Sequence, residues 1–195
     1  MMEAGRLIAL LAHHRAADPD EEASLLKILK FLSLTPGPFD RANPEGHITG
    51  SAVVARPDGK AFLLVHHRRL DRWLQPGGHT DPEDADVLAT ALREVLEETG
   101  VRAQPVEAGG RPFDVDVHPI PARKGEPEHL HFDLRFLATA TETDLTPHPE
   151  ETREARWFTL EEARAIGADP SVLRALEKAS RLLTPGKEGP TGAFI

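Results

Sequence analysis

Apolar residues recur at helical spacing near the start of the chain. Leu7, Ile8, Leu10 and Leu11 form one cluster, and Leu25, Leu26, Ile28, Leu29 and Leu32 form a second. Asp18-Pro19-Asp20-Glu21 suits the start of the second helix, with an N-cap, a proline in the first turn and Glu at N3. Thr35-Pro36-Gly37-Pro38 ends it. From His47 the pattern changes to short runs rich in Val and Leu. His47–Arg56 and Ala61–His67 read as strands joined by a Pro57-Asp58-Gly59-Lys60 turn. Val101–Glu107, Arg111–His118, His129–Thr139 and Arg153–Phe158 read as further strands. In two of these the alternation is sharp: Phe113, Val115 and Val117 oppose Asp114, Asp116 and His118, and Phe132, Leu134 and Phe136 oppose His131, Asp133 and Arg135. Thr159-Leu160-Glu161-Glu162 is a capping box, and a last helix is expected over 171–183.

This pattern divides the chain into an N-terminal helical extension (1–36), a main domain (37–183) and a flexible tail (184–195). The 195 residues suffice for one well-packed core. No apolar run approaches the roughly 20 residues that span a bilayer, and no secretory signal opens the chain, so the expectation is a cytoplasmic protein without membrane contact. With no cysteine, disulfides, thiolate zinc sites and cysteine nucleophiles are excluded. The formal net charge of −9 argues against stable binding to nucleic acid. An acidic protein can still take an anionic substrate when a divalent cation lies between them.

The residues 81–101 bear most directly on that possibility. Asp81 can cap a helix with Pro82 at its first position, and Gly100 can close it in the left-handed conformation. Leu88, Ala91, Leu92 and Val95 form the expected buried stripe, and Glu94, Glu97 and Glu98 share one side, offset from it. Three carboxylates in the last turns of a helix repel one another and oppose its dipole. A hard cation such as Mg²⁺ reverses that balance, because it takes oxygen ligands and shares its shell with water and phosphate. Arg93 can pair with Glu97 or orient a neighbouring carboxylate. Taken alone, the same three residues also fit a solvated acidic face.

Trp73-Leu74-Gln75-Pro76-Gly77-Gly78-His79 precedes this helix, and its Pro-Gly-Gly turn lets the backbone approach a ligand. Joined to Arg93-Glu94-Val95-Leu96-Glu97-Glu98-Thr99-Gly100-Val101, it resembles the Nudix box of the Nudix hydrolases, G-x5-E-x7-R-E-U-x-E-E-x-G-U with U aliphatic. The second half matches at every specified position, a coincidence on the order of 10⁻⁵ to 10⁻⁴ for average composition. The first half departs. Five residues beyond Gly78 stands Asp84, and the family spacing counted back from Arg93 reaches Ala85, so the loop carries one extra residue. Glu83, Asp84 and Asp86 are the candidates for the missing Glu.

The resemblance, over roughly 46–167, implies an α/β fold of the Nudix α/β/α sandwich type, a mixed β-sheet between helices. It implies hydrolysis of a pyrophosphate linkage in a nucleoside diphosphate joined to another group, with Mg²⁺ or Mn²⁺. Glu94, Glu97 and Glu98 would hold the metal, aided by the backbone carbonyl of Gly77, and Arg93 would support them. One of these glutamates, or a later Glu150 or Glu151, would deprotonate the attacking water. ADP-ribose, sugar nucleotides, dinucleoside polyphosphates and (d)NTPs are all open as small-molecule substrates, and a homodimer is possible. The alternative is a non-catalytic Nudix domain that senses a nucleotide-derived ligand. Isopentenyl diphosphate isomerase shares the fold but relies on a cysteine that this chain lacks.

Further candidates lie around the box. Arg68, Arg69 and Arg72, with His66 and His67, could contact phosphates or form a solvated loop. Gly78 would let substrate approach the backbone. His131, with His129, Asp133 and Arg135, could line the substrate cleft, although a polar outer face is the favoured reading and a zinc site is discounted. Trp73 and Phe113 could stack on a base, with core packing as the default.

Overall fold

The computed structural model describes residues 2–107, 109–122, 125, 127–150 and 152–184. Among them lie five helices, α1 (Ala4–Leu11), α2 (Pro19–Leu34), α3 (Val87–Thr99), α4 (Leu160–Ala165) and α5 (Pro170–Leu183). The strands are β1 (Gly46–Ala55), β2 (Phe62–His67), β3 (Arg72–Leu74), β4 (Gly77–His79), β5 (Ala103–Pro105), β6 (Asp114–Ile120), β7 (His129–Ala140) and β8 (Thr152–Phe158). All eight join one mixed sheet with a central path β3-β2-β1-β7-β5; β4 also pairs with β1, β6 with β7 and β8 with β2. β1 and β7 run parallel over ten residue pairs from Gly46↔Leu130 to Ala55↔Thr139, and the other pairings are antiparallel.

Both faces of the central strands are covered, which is why β1 is buried from end to end. On one face Ile48, Ala52 and Val54 join Leu134 and Phe136 beneath α1, α2 and α3, with Phe31 of α2 stacked on Phe132 at 3.9 Å. On the other, Val53, Ala55, Leu64 and Leu137 pack with Val172, Leu176 and Ala179 of α5. The result is helix, sheet, helix. Asp18 caps α2 by accepting from the Glu21 N–H, and Thr159 with Glu162 forms the expected capping box at α4. No helix among the described residues is long and apolar enough to cross a membrane. The tail expected over 184–195 lies, beyond Thr184, outside the described residues.

Two expectations change. Helix α3 starts at Val87 with Asp86 as its cap, five residues later than the expected cap Asp81 and first residue Pro82. Asp81 instead accepts from the Glu83 N–H, and its own N–H donates to Asp84, closing a turn that absorbs the extra loop residue. The polar face of β7 is not an outer face. Asp133 and Arg135 are 3% and 2% exposed: Thr49, Ser51 and Gln75 all donate to Asp133, and Ser171 of α5 lies against Arg135. Arg135 donates to Asp133 at 3.2 Å, to Asp114 at 3.2 Å and to both the carbonyl and hydroxyl of Ser171. Asp114 is shared further with Arg174 and Lys178, and Lys178 reaches the wholly buried Glu21 of α2. This network ties α2, β6, β7 and α5 together through paired charges, the arrangement that makes buried charge tolerable.

Candidate active site

Helix α3 is rolled further toward the sheet than its apolar stripe suggests. Leu88 and Leu92 are only half buried, whereas Val87, Thr90, Ala91, Glu94, Val95, Glu98 and Thr99 are buried. Glu94 and Glu98, one turn apart, therefore point inward at 9% and 2% exposure. The Pro-Gly-Gly loop and β4 face them. The Gly77 N–H donates to Glu98 Oε2 at 3.1 Å. At Gly78 a Cβ would stand 2.5 Å from Glu94 Oε1, so only glycine lets the two surfaces meet. A Cβ on Gly77 would strike Ser51 Cα at 2.6 Å and the Gly50 carbonyl oxygen at 2.8 Å.

Arg93 organises this acidic edge. It donates to both carboxylate oxygens of Asp84 at 3.1 Å, to Glu94 Oε1 at 2.9 Å, to Glu97 Oε2 at 2.8 Å and to the His79 carbonyl at 2.8 Å. Of the three residues that could replace the missing Glu of the box, Asp84 reaches Arg93, Asp86 caps the helix, and Glu83 is exposed. Burial opposes ionisation of Asp84, but the hydrogen bonds from Arg93, the Asp81 backbone and Thr90 outweigh it and hold its carboxyl below the usual range. The Arg93 guanidinium is in turn held more firmly protonated, chiefly by Asp84.

The remaining expected residues lie at varying distances from this centre. The Glu97 side chain is 53% exposed and is drawn to the others by Arg93 rather than by burial. Arg68 and Arg69 sit in the β2–β3 turn, which His67 Nδ1 closes by accepting from the Arg69 and Leu70 N–H groups. Arg72 lies 3.7 Å from Asp169. Trp73 packs edge-on against Phe158 at 4.8 Å, and Phe113 joins the α5-side core. Glu151 lies outside the described residues. The segment before it crosses the end of α3, where the His148 N–H donates to the Glu98 carbonyl, and Glu150 is exposed.

His131 belongs to a feature that sequence reasoning missed. Parallel pairing sets it beside His47, and β4 brings His79 to the same place. Ligand nitrogens of His47, His79 and His131 all lie within 4.8 Å of one another, so the three form a cluster that could hold a metal ion. His118 and His129 add ring contacts to His131 at 5.6 Å and 5.3 Å. Burial pushes His79 down to about 3, helped by the positive charge of Arg41, and pushes His131 down to about 2, helped by His79. Only the parallel β1–β7 register and the β4 pairing could have revealed this cluster, and neither is written in local sequence.

A profile of the NUDIX domain family matches residues 46–178. A Danio rerio m7GpppN-mRNA hydrolase is 30% identical over 130 residues, which covers 60% of this chain and 43% of that protein. The chain thus spans less than half the length of that relative. In structure, the chain resembles a hydrolase of the NUDIX family from Clostridium perfringens (TM-score 0.56, 21% identity, covering 73% and 99% of the two chains). It also resembles a C. elegans Ap4A hydrolase (TM-score 0.54, 25% identity, covering 70% and 96%).

Proposed function

The chain belongs to the NUDIX family, and on that basis we propose that it is a divalent-metal-dependent hydrolase of a pyrophosphate linkage in a nucleoside diphosphate joined to another group. One observation carries this reading: two buried carboxylates, Glu94 and Glu98, face a side-chain-free stretch of backbone at Gly77 and Gly78. Nothing apolar is gained by burying them, and two carboxylates one turn apart fit a hard cation that takes oxygen ligands. Glu94 and Glu98 would hold Mg²⁺ or Mn²⁺, with Glu97 as a third carboxylate and the Gly77 backbone beside them. When bound, such an ion neutralises phosphate charge and lowers the pKa of water.

The chain's own groups do the rest. Arg93 fixes the carboxylate of Glu94 and draws Glu97 toward it. Asp84 locks Arg93 in turn, and Gly78 leaves room for the Glu94 carboxylate to lie directly against the backbone. The dinucleoside polyphosphate class is supported by the named activity of the C. elegans relative, and a capped nucleotide end by that of the Danio rerio relative.

The test is a hydrolysis screen of the purified chain with Mg²⁺ or Mn²⁺ against ADP-ribose, sugar nucleotides, dinucleoside polyphosphates and (d)NTPs, with and without EDTA. Turnover that EDTA abolishes is expected. Silence across the panel, together with tight binding of one of these compounds, would replace hydrolysis with ligand sensing.

A further inference from the structure

We propose that His47, His79 and His131 form a second cation site, a three-imidazole site for one borderline divalent ion of the zinc class, distinct from the carboxylate pair. The three residues come from three strands, β1, β4 and β7, and their ligand nitrogens already lie within 4.8 Å of one another. Three imidazoles and an open fourth position are a recurrent zinc arrangement, with Zn–N about 2.0–2.1 Å. Among the described residues His131 Nε2, which is buried, has no hydrogen-bond partner, although a buried ring nitrogen ordinarily finds one.

Ligand chemistry separates this site from the first. Imidazole nitrogen selects zinc, nickel, cobalt or copper, whereas carboxylate oxygen selects magnesium or manganese. Geometry separates them too. Successive residues of a strand point to opposite faces. Gly78 lies against Glu94, so its neighbour His79 turns to the other side, toward His47 and His131. Arg41 and Arg69 place positive charge near His79, which opposes a bare dication and calls for hydroxide or another oxygen anion as the fourth ligand. A bound ion would pin β4 to β1 and β7 and so hold the Gly77-Gly78 backbone at the edge of the carboxylate site.

Co²⁺ serves as the spectroscopic probe, added to untagged, chelator-stripped full chain. The expected result is one equivalent of Co²⁺ with visible bands of a low-coordinate nitrogen site, displaced by Zn²⁺. Those bands should be lost in His131→Gln and retained in Glu98→Gln. Zinc-edge X-ray absorption of the wild-type protein needs no variant and should count about three imidazoles. Oxygen-only coordination, absence of binding by wild type, or bands that survive His131→Gln and vanish in Glu98→Gln would each overturn the proposal.

Discussion

Gly78 and Glu94 occupy one another's space: a Cβ on the glycine would stand 2.5 Å from a carboxylate oxygen of the glutamate. The obstacle at that position is the end of a flexible side chain. At Gly77 it is Ser51 Cα and the Gly50 carbonyl, which are backbone. The two alanine substitutions should therefore part company. Gly78→Ala should displace Glu94 and cut turnover while thermal stability changes little. Gly77→Ala should cost about 1–3 kcal/mol of stability through overpacking. Thermal melts beside steady-state kinetics check this, and equal stability losses would refute it.

Glu98→Gln keeps the shape of a 2%-exposed side chain and the acceptor for the Gly77 N–H, but removes its charge. The fold should survive, and turnover should fall by at least about 100-fold, since even residues that merely support metal ligands cost 10–100-fold. Circular dichroism and a kinetic assay across Mg²⁺ concentrations measure both. Near-normal turnover would remove Glu98 from the metal-holding set.

Asp84 acts through Arg93 and is a positioning residue. Asp84→Ala leaves Arg93 with Glu94 and Glu97 but without the two bonds that lock it. The Mg²⁺ concentration for half-maximal activity should rise while saturated turnover falls less. Asp84→Glu should recover part of the effect, because the longer carboxylate can still reach the guanidinium. A role confined to folding would leave the metal dependence unchanged.

Arg135 is 2% exposed and satisfies Asp114 and Asp133 together. Arg135→Met should destabilise the chain by about 3–5 kcal/mol, because it leaves buried carboxylates without their cation. Urea denaturation reads this directly, and a loss below 1 kcal/mol would mean that Arg174 and Lys178 compensate.

Acid should release the α2–α5 tie. Burial opposes ionisation of Glu21, yet hydrogen bonds from His14, Lys178 and the Ala17 N–H win and lower its carboxyl from 4.5 to about 2. A depressed carboxylate contributes stability above its unfolded value and loses it as pH falls through the folded one. That contribution should thus be complete above about pH 4.5 and vanish toward pH 2. Glu21→Gln should flatten the Tm profile in that window, which a pH series of melts will show.

Much of this protein was legible in local sequence because its signals are local. The capping residues Asp18 and Thr159, the left-handed Gly100 at the end of α3 and the period-two runs of β6 and β7 act within a few residues of themselves. The run from Arg93 to Gly100 likewise announced its glutamates, because a helix fixes side chains three and four apart on one side. The start of α3 was misplaced, since Asp81 and Asp86 are equally good caps and only the turn closed by Asp84 decides between them.

What tertiary structure alone decided depends on pairings between distant strands. The polar side of β7 reads as a solvent face, yet Asp133 is buried among Thr49, Ser51 and Gln75, and Arg135 against Ser171 of α5. His47, His79 and His131 are spread over 85 positions of sequence, and they meet because β1 and β7 pair in parallel while β4 folds back onto β1. The alternation of β7 fixes which residues share a face but not which partner residue each one meets: sliding β7 by two residues would keep every face and part His131 from His47.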